Sequence, residues 1–203
     1  SDVCSSDLAT GHGHGPVRAP SRGRVAGVAA RAGARSAACY SGLMSTLNVG
    51  DLAPTLALPD ENGQVHDIAQ QRGTWTVVYF YPADDTPGCT TEACQFRDTM
   101  SDVTVEGATV WGISPQGPES HRKFRAKYGL TFPLLCDEDH GVAERYGAWG
   151  LKLSFGVEKM GLIRSTVLVD PEGKVARVWP TAKADGHAAE VLAAIREIKA
   201  ARA

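Results

Sequence analysis

The chain contains no apolar run approaching the roughly 20 residues that a membrane-spanning helix needs. It also has no excess of either charge, with 21 Lys and Arg against 23 Asp and Glu. The first absence points to a soluble protein. The second removes any electrostatic reason to expect nucleic acid or an anionic membrane surface as partner. Cysteine is scarce: five residues, Cys4, Cys39, Cys89, Cys94 and Cys136. An odd number at irregular spacing does not resemble the framework of a small disulfide-stapled secreted domain, and fits a reducing, cytoplasmic setting with reactive or metal-binding thiols. Neither a GxGxxG nor a Walker-type loop follows a strand, so nothing supports a bound nucleotide. No internal repeat is present.

What remains suffices for one globular domain with a full core, 43% of the 203 residues being hydrophobic. Residues 1–43 are different material. "GHGHGPVRAPSRGRVAGVAARAGARSAACYSG" has no acidic residue and no hydrophobic period, so it cannot bury enough apolar surface to offset the entropy of ordering. Three origins compete: an Arg-rich, acid-poor organellar transit peptide, a disordered arm, or non-native sequence upstream of a start at Met44. The abrupt change at "MSTLNVGDLAP" favours the last. Only the first would move the protein into an organelle. The folded domain is expected over residues 44–203.

From Met44 onward, "TLALPDENGQVHDI" reads as two short strands around the turn dipeptide Asn62-Gly63. "TWTVVYFYP", residues 74–82, is β-branched and aromatic without polar alternation, the pattern of a strand buried on both faces. Helical character follows through "TTEACQFRDTM". Then come a strand at 108–114, a helix at 118–129 with Pro118 near its start, strand "FPLLCD" and a short helix around "GVAERYG". Strand "STVLVD" turns through "PEGK" into strand "VARVW". A last helix places Val191, Leu192, Ile195 and Ile198 on one face. Alternating strands and helices predict an α/β fold, a central sheet with helices on both faces, and the final hairpin makes that sheet mixed.

The chemistry concentrates in "YPADDTPGCTTEACQFRD", residues 81–98, beyond the carboxyl end of a strand, where α/β proteins gather reactive groups. With Thr86 as N-cap and Pro87 at the first helical position, Cys89 falls in the first turn. Backbone N–H groups without intrahelical partners and the positive end of the helix dipole favour a thiolate there. Cys94 lies five residues on. Within a helix such residues are roughly 8–9 Å apart at Cα, beyond the limit of about 7 Å for a disulfide. The two can bond only if the first turns unwind, which suits a transient bond. A zinc site needs two further ligands, and His66, His121, His140, His187 and Cys136 offer no second pair at ligand spacing; no metal or cofactor is expected. His12 and His14 in the tail are a weak metal pair at best.

Taken singly, these residues have plainer readings. Cys89 is a small residue in a helix start, Thr86 only a cap, Pro82 the end of a strand, and Arg164 a solvated charge. Glu92 and the pair Asp84-Asp85 read as loop and first-turn charges favourable to the helix dipole. Cys136, after the apolar "FPLL", reads as a buried small residue, with a lesser claim as an alternative resolving thiol. Trp75, Trp111, Trp149 and Trp179 read as core or rim aromatics.

Together, Pro82-x-x-x-Thr86-x-x-Cys89 resembles the PxxxTxxC signature of the peroxiredoxins. The second cysteine five residues on is similar to the bacterioferritin-comigratory or Q-type branch. The likeness extends through "SHRKFRAKYGLTFPLLCDED", "YGAWG", "GLIRSTVLVDPEGKV" and "GHAAEVL", from about Asn48 to the C-terminal helix. It implies a thioredoxin-like fold and reduction of hydrogen peroxide and organic hydroperoxides by a monomeric, atypical two-cysteine enzyme. By the same resemblance, Cys89 is the peroxidatic cysteine and Cys94 the resolving cysteine. Thr86 is the hydroxyl that bonds thiolate and peroxide, Pro82 the shield of the site, and Arg164 the arginine completing the pocket. Thioredoxin, or a glutaredoxin-like reductant, is the implied partner. The rival function is a peroxide-sensing relay that uses the same switch with little turnover; a general disulfide reductase is disfavoured by the absence of CxxC. Two departures stand out: Gln116, where many relatives carry Asp, and a less charged "LKLSFGVEKMG".

Overall fold

A computed structural model describes residues 47–154 and 157–202; the tail at 1–43 and its three readings lie outside the described residues. A small antiparallel pair, β1 (Ala57–Pro59) and β2 (Val65–Asp67), brackets the Asn62-Gly63 turn as the sequence predicts. A single 3-10 turn at Ile68–Gln70 leads to β3 (Trp75–Phe80). The chain then enters α1 (Pro87–Val105), followed by β4 (Ala108–Ser114), α2 (Pro118–Tyr128), β5 (Leu134–Cys136) and α3 (Gly141–Arg145). Next come β6 (Trp149–Ser154), β7 (Val157–Leu162), β8 (Ser165–Val169), β9 (Val175–Trp179) and α4 (His187–Arg202).

Five strands form the central sheet in the order β5-β4-β3-β8-β9. β3 pairs parallel with β4 and antiparallel with β8, so the sheet is mixed. β3 is its middle strand and all six of its residues are buried, which explains the missing polar alternation. Its side chains divide by the strand period of two. Trp75, Val77 and Tyr79 join Phe96 of α1, Phe124 of α2 and Val191 and Ile195 of α4 on one face. Val78 and Phe80 join Val142 and Ala143 of α3 on the other. Helices therefore cover both faces.

The β6–β7 hairpin is not among the elements that the sequence pattern predicts. It pairs Trp149–Ser154 with Val157–Leu162 apart from the central sheet. Leu151 and Met160, opposite each other, are exposed. Its role for the site is positional: β7 ends at Leu162 and β8 begins at Ser165, so the link between them holds Arg164. Among the described residues no helix is long and apolar enough to cross a membrane.

Candidate active site

β3 delivers Tyr81 and Pro82 to the carboxyl edge of the sheet, and α1 starts at Pro87 with Thr86 as its N-cap. Proline costs nothing at that first position, because its missing N–H would have no intrahelical acceptor. From there Cys89, Glu92, Ala93, Phe96 and Val103 form the buried stripe of the helix, at the three-and-four spacing that one face requires. Cys89 is 1% exposed and belongs to the core cluster around Tyr79 and Phe96.

Arg164 reaches this sulfur across the sequence, its Nη2 standing 3.1 Å from Cys89 Sγ. Its Nη1 bonds Glu92 Oε2. One guanidinium thus bridges the sulfur and a carboxylate, using the fork of donors that lysine lacks. Burial opposes the charge on Arg164, but Glu92 and Cys89 outweigh it, and the group is held more firmly protonated than usual.

Glu92 corrects the expectation of a first-turn surface charge. Its side chain is fully buried, and Oε1 has no hydrogen-bond partner among the described residues. Burial raises its proton affinity more than Arg164 lowers it, and its pKa is pushed up to about 7. The unfolded chain has the ordinary value of 4.5. Between those values the folded protein binds more protons than the unfolded, so stability falls as pH rises from about 4.5 to about 7, then levels off. The span corresponds to about 3 kcal/mol at most. Glu92→Gln is expected to flatten that slope. Urea unfolding of both proteins at a series of pH values reads it, and parallel curves across this window would reject the assignment.

Thr86 occupies the predicted cap position, but its side chain makes no cap hydrogen bond. Its hydroxyl donates to the Ala83 carbonyl at 3.1 Å rather than to the Cys89 sulfur, a correction to the expected thiolate contact. The cause is local: Asp85 adopts the left-handed conformation, φ 56°, and the turn it makes brings the Ala83 carbonyl under Thr86. Pro82 is half-buried, directly after Tyr81 and seven residues before Cys89. The pair Asp84-Asp85 also departs from its expected role, since both side chains bond α2 (below). Cys94 sits half-buried in the unbroken helix, and no disulfide joins it to Cys89.

Cys136 on β5 is buried, as read from its apolar neighbours. Burial, then the charges of Glu138, Glu61 and Asp60, push its thiol up to about 11, so it is a poor nucleophile. Trp75, Trp111 and Trp179 are core residues, and partly buried Trp149 stacks on His140 at 3.7 Å. Among the described residues no group of three or more His, Cys, Asp or Glu is arranged to hold a metal ion.

Known proteins resemble this chain over most of its folded part. The profile of the AhpC/TSA family matches residues 49–178. Peroxiredoxin Bcp of Bacillus subtilis is 42% identical over 153 residues, 75% of this chain and 98% of the relative. Peroxiredoxin Bcp of Escherichia coli is 40% identical over 154 residues, 76% of this chain and 99% of the relative. Among solved structures, the bacterioferritin comigratory protein of Xanthomonas campestris, studied for its alkyl peroxide reduction activity, superposes with a TM-score of 0.69. It is 36% identical, over 76% of this chain and 98% of that one.

Proposed function

This chain belongs to the AhpC/TSA family as a peroxiredoxin of the bacterioferritin-comigratory branch, and from that membership we propose how its residues divide the reduction of peroxides. The observation that carries the assignment is the buried Cys89 sulfur facing the Arg164 guanidinium at 3.1 Å. Cys89, as thiolate, attacks one peroxide oxygen and the O–O bond breaks. The departing oxygen takes a proton and leaves as water from hydrogen peroxide or as alcohol from an organic hydroperoxide, and Cys89 becomes a sulfenic acid. Arg164 and the first-turn N–H groups of α1 are the fixed donors for the charge gathering on the departing oxygen. Thr86, its proton committed to Ala83, keeps lone pairs that accept from the incoming hydroperoxide. Pro82 shields the site from water.

Cys94 then displaces the sulfenic oxygen as water and forms the Cys89–Cys94 disulfide. Both thiols lie on α1, so a single chain completes the cycle and a monomer suffices. The helix must open for this step, its Cα atoms lying roughly 8–9 Å apart while it is intact. A thioredoxin-type dithiol reduces the disulfide by exchange.

Peroxide consumption coupled to thioredoxin, thioredoxin reductase and NADPH tests the cycle. Many turnovers per chain are expected; one equivalent followed by arrest would indicate a sensing relay instead. Cys94→Ser is expected to consume one equivalent, accumulate the sulfenic acid and lose thioredoxin-linked turnover. Normal cycling by that variant would remove Cys94 from the resolving role.

A further inference from the structure

Asp84 and Asp85 lie in the link from β3 to α1, and the peroxide chemistry uses neither. The Asp84 side chain is 4% exposed and that of His121 fully buried. Asp84 accepts from Tyr81 Oη on Oδ1 at 2.7 Å, and on Oδ2 from Ser120 Oγ at 2.7 Å and His121 Nδ1 at 2.8 Å. Its backbone N–H donates to Gln116 Oε1, which gives that unusual residue a place in the same network. His121 Nε2 stands 3.3 Å from the Leu135 carbonyl oxygen. Asp84 and the Leu135 carbonyl thus face the two ring nitrogens from opposite sides, and the ring bridges the β3–α1 link to β5. Burial alone would raise the Asp84 pKa, yet the bonds from His121, Ser120 and Tyr81 hold it below the usual carboxylate range.

Asp85 is exposed and grips the other end of the same helix. Lys127 Nζ donates to its two oxygens at 2.9 and 2.8 Å, and the Tyr128 hydroxyl bonds Oδ1. Its left-handed backbone, φ 56°, is costly for a residue with a Cβ and persists where the surroundings enforce it. Adjacent acids thus bind Ser120-His121 in the first turn of α2 and Lys127-Tyr128 in the last. α2 is itself fixed to the sheet by Phe124.

We propose that Asp84 and Asp85 are positioning residues, a two-point clamp that holds the approach to α1 against α2 and sets how long oxidised Cys89 stays in the intact helix before Cys94 can reach it. The proposal rests on the resolving role of Cys94. The sulfenic acid has two fates. It condenses with the Cys94 thiol, giving the disulfide and water. Otherwise a second hydroperoxide oxidises it to the sulfinic acid and is reduced to its alcohol, or to water from hydrogen peroxide. The clamp delays the first fate and leaves time for the second.

The test treats the whole reduced chain with graded hydrogen peroxide under reductant-limited cycling, and intact mass reads disulfide against sulfinic acid. Asp84→Asn keeps the shape and removes the charge. The peroxide concentration giving half sulfinic acid is expected to rise about tenfold, equivalent to about 1.4 kcal/mol. Asp85→Ala is expected to move it the same way by about two- to threefold, as an exposed ion pair contributes less. Asp84→Asn and His121→Gln should combine non-additively if they act as one pair. A merely structural role would lower the melting temperature and leave the partition unchanged. An unchanged or lowered half-point in both aspartate variants overturns the proposal. Should Asp84→Asn not fold, Asp85→Ala and Lys127→Ala decide it, and both must raise the half-point. A wild-type chain that forms no Cys89–Cys94 disulfide removes the resolving assignment itself, and the clamp with it.

Discussion

Replacing Cys89 by serine is expected to abolish peroxide reduction and to leave a folded protein. The exchange keeps the side chain's size in a site that is 1% exposed, and the hydroxyl inherits Arg164 as its donor, so the cost in stability stays within about 1–3 kcal/mol. What is lost is the sulfur nucleophile. A serine hydroxyl remains protonated at any working pH, and among the described residues no base bonds that position to take its proton. Arg164 can only donate, and Glu92 is bound to Arg164 rather than to residue 89. The loss should match the several orders of magnitude typical of nucleophile removal.

The other described thiols cannot substitute. Cys94 lies beyond the first turn, away from the donors at the helix start, and Cys136 has its thiol pushed up to about 11. Peroxide consumption together with thermal unfolding checks both halves of the expectation. A folded Cys89→Ser protein that still turns over would mean that another sulfur carries the reaction.

The parts of this site differ in how openly the sequence displayed them. Local signals were sufficient where local chemistry decides. Thr86-Pro87 marked the start of α1 because proline tolerates only that helical position, and strand 108–114 has the predicted limits. The unbroken apolar character of β3 announced burial on both faces. Arg164 is 75 residues from Cys89, and no period or spacing joins them; only the resemblance to peroxiredoxins singled it out.

Glu92 departs from the expected surface charge although its spacing carries a signal. It lies three residues after Cys89 and four before Phe96, on the stripe that continues to Val103. An acid on a buried stripe requires a cation from elsewhere, and the partner comes from the β7–β8 link. The hairpin preceding that link was missed because its exposed Leu151 and Met160 build no core from which strands are usually inferred. Asp84 resembles a helix-dipole charge in sequence for the same reason as Glu92: apart from nearby Tyr81, its side-chain partners, Ser120 and His121, approach only when α2 packs on the sheet.

Arg164→Met should slow the oxidation of Cys89 about 10²–10³-fold, the usual cost of removing one preorganised donor from a developing charge. Methionine fills much of the volume but donates nothing to Sγ or to the departing oxygen. The same change strands Glu92, whose pKa near 7 already reflects burial opposed by Arg164. Without the guanidinium only burial remains, so the carboxyl takes up a proton at neutral pH and ceases to count as a charge. Two consequences separate a catalytic arginine from an anchor. Adding Glu92→Gln to Arg164→Met should slow oxidation little further, because position 92 is already neutral in the single variant. Arg164→Lys should fall between wild type and Arg164→Met, since a point charge can serve the sulfur or the carboxylate but not both. Stopped-flow oxidation of the reduced chain at neutral pH measures all three. If Arg164→Met reacts within about threefold of wild type, well short of the loss that removing one such donor brings, the guanidinium serves only to neutralise Glu92, and the helix-start N–H groups must stabilise the departing oxygen alone.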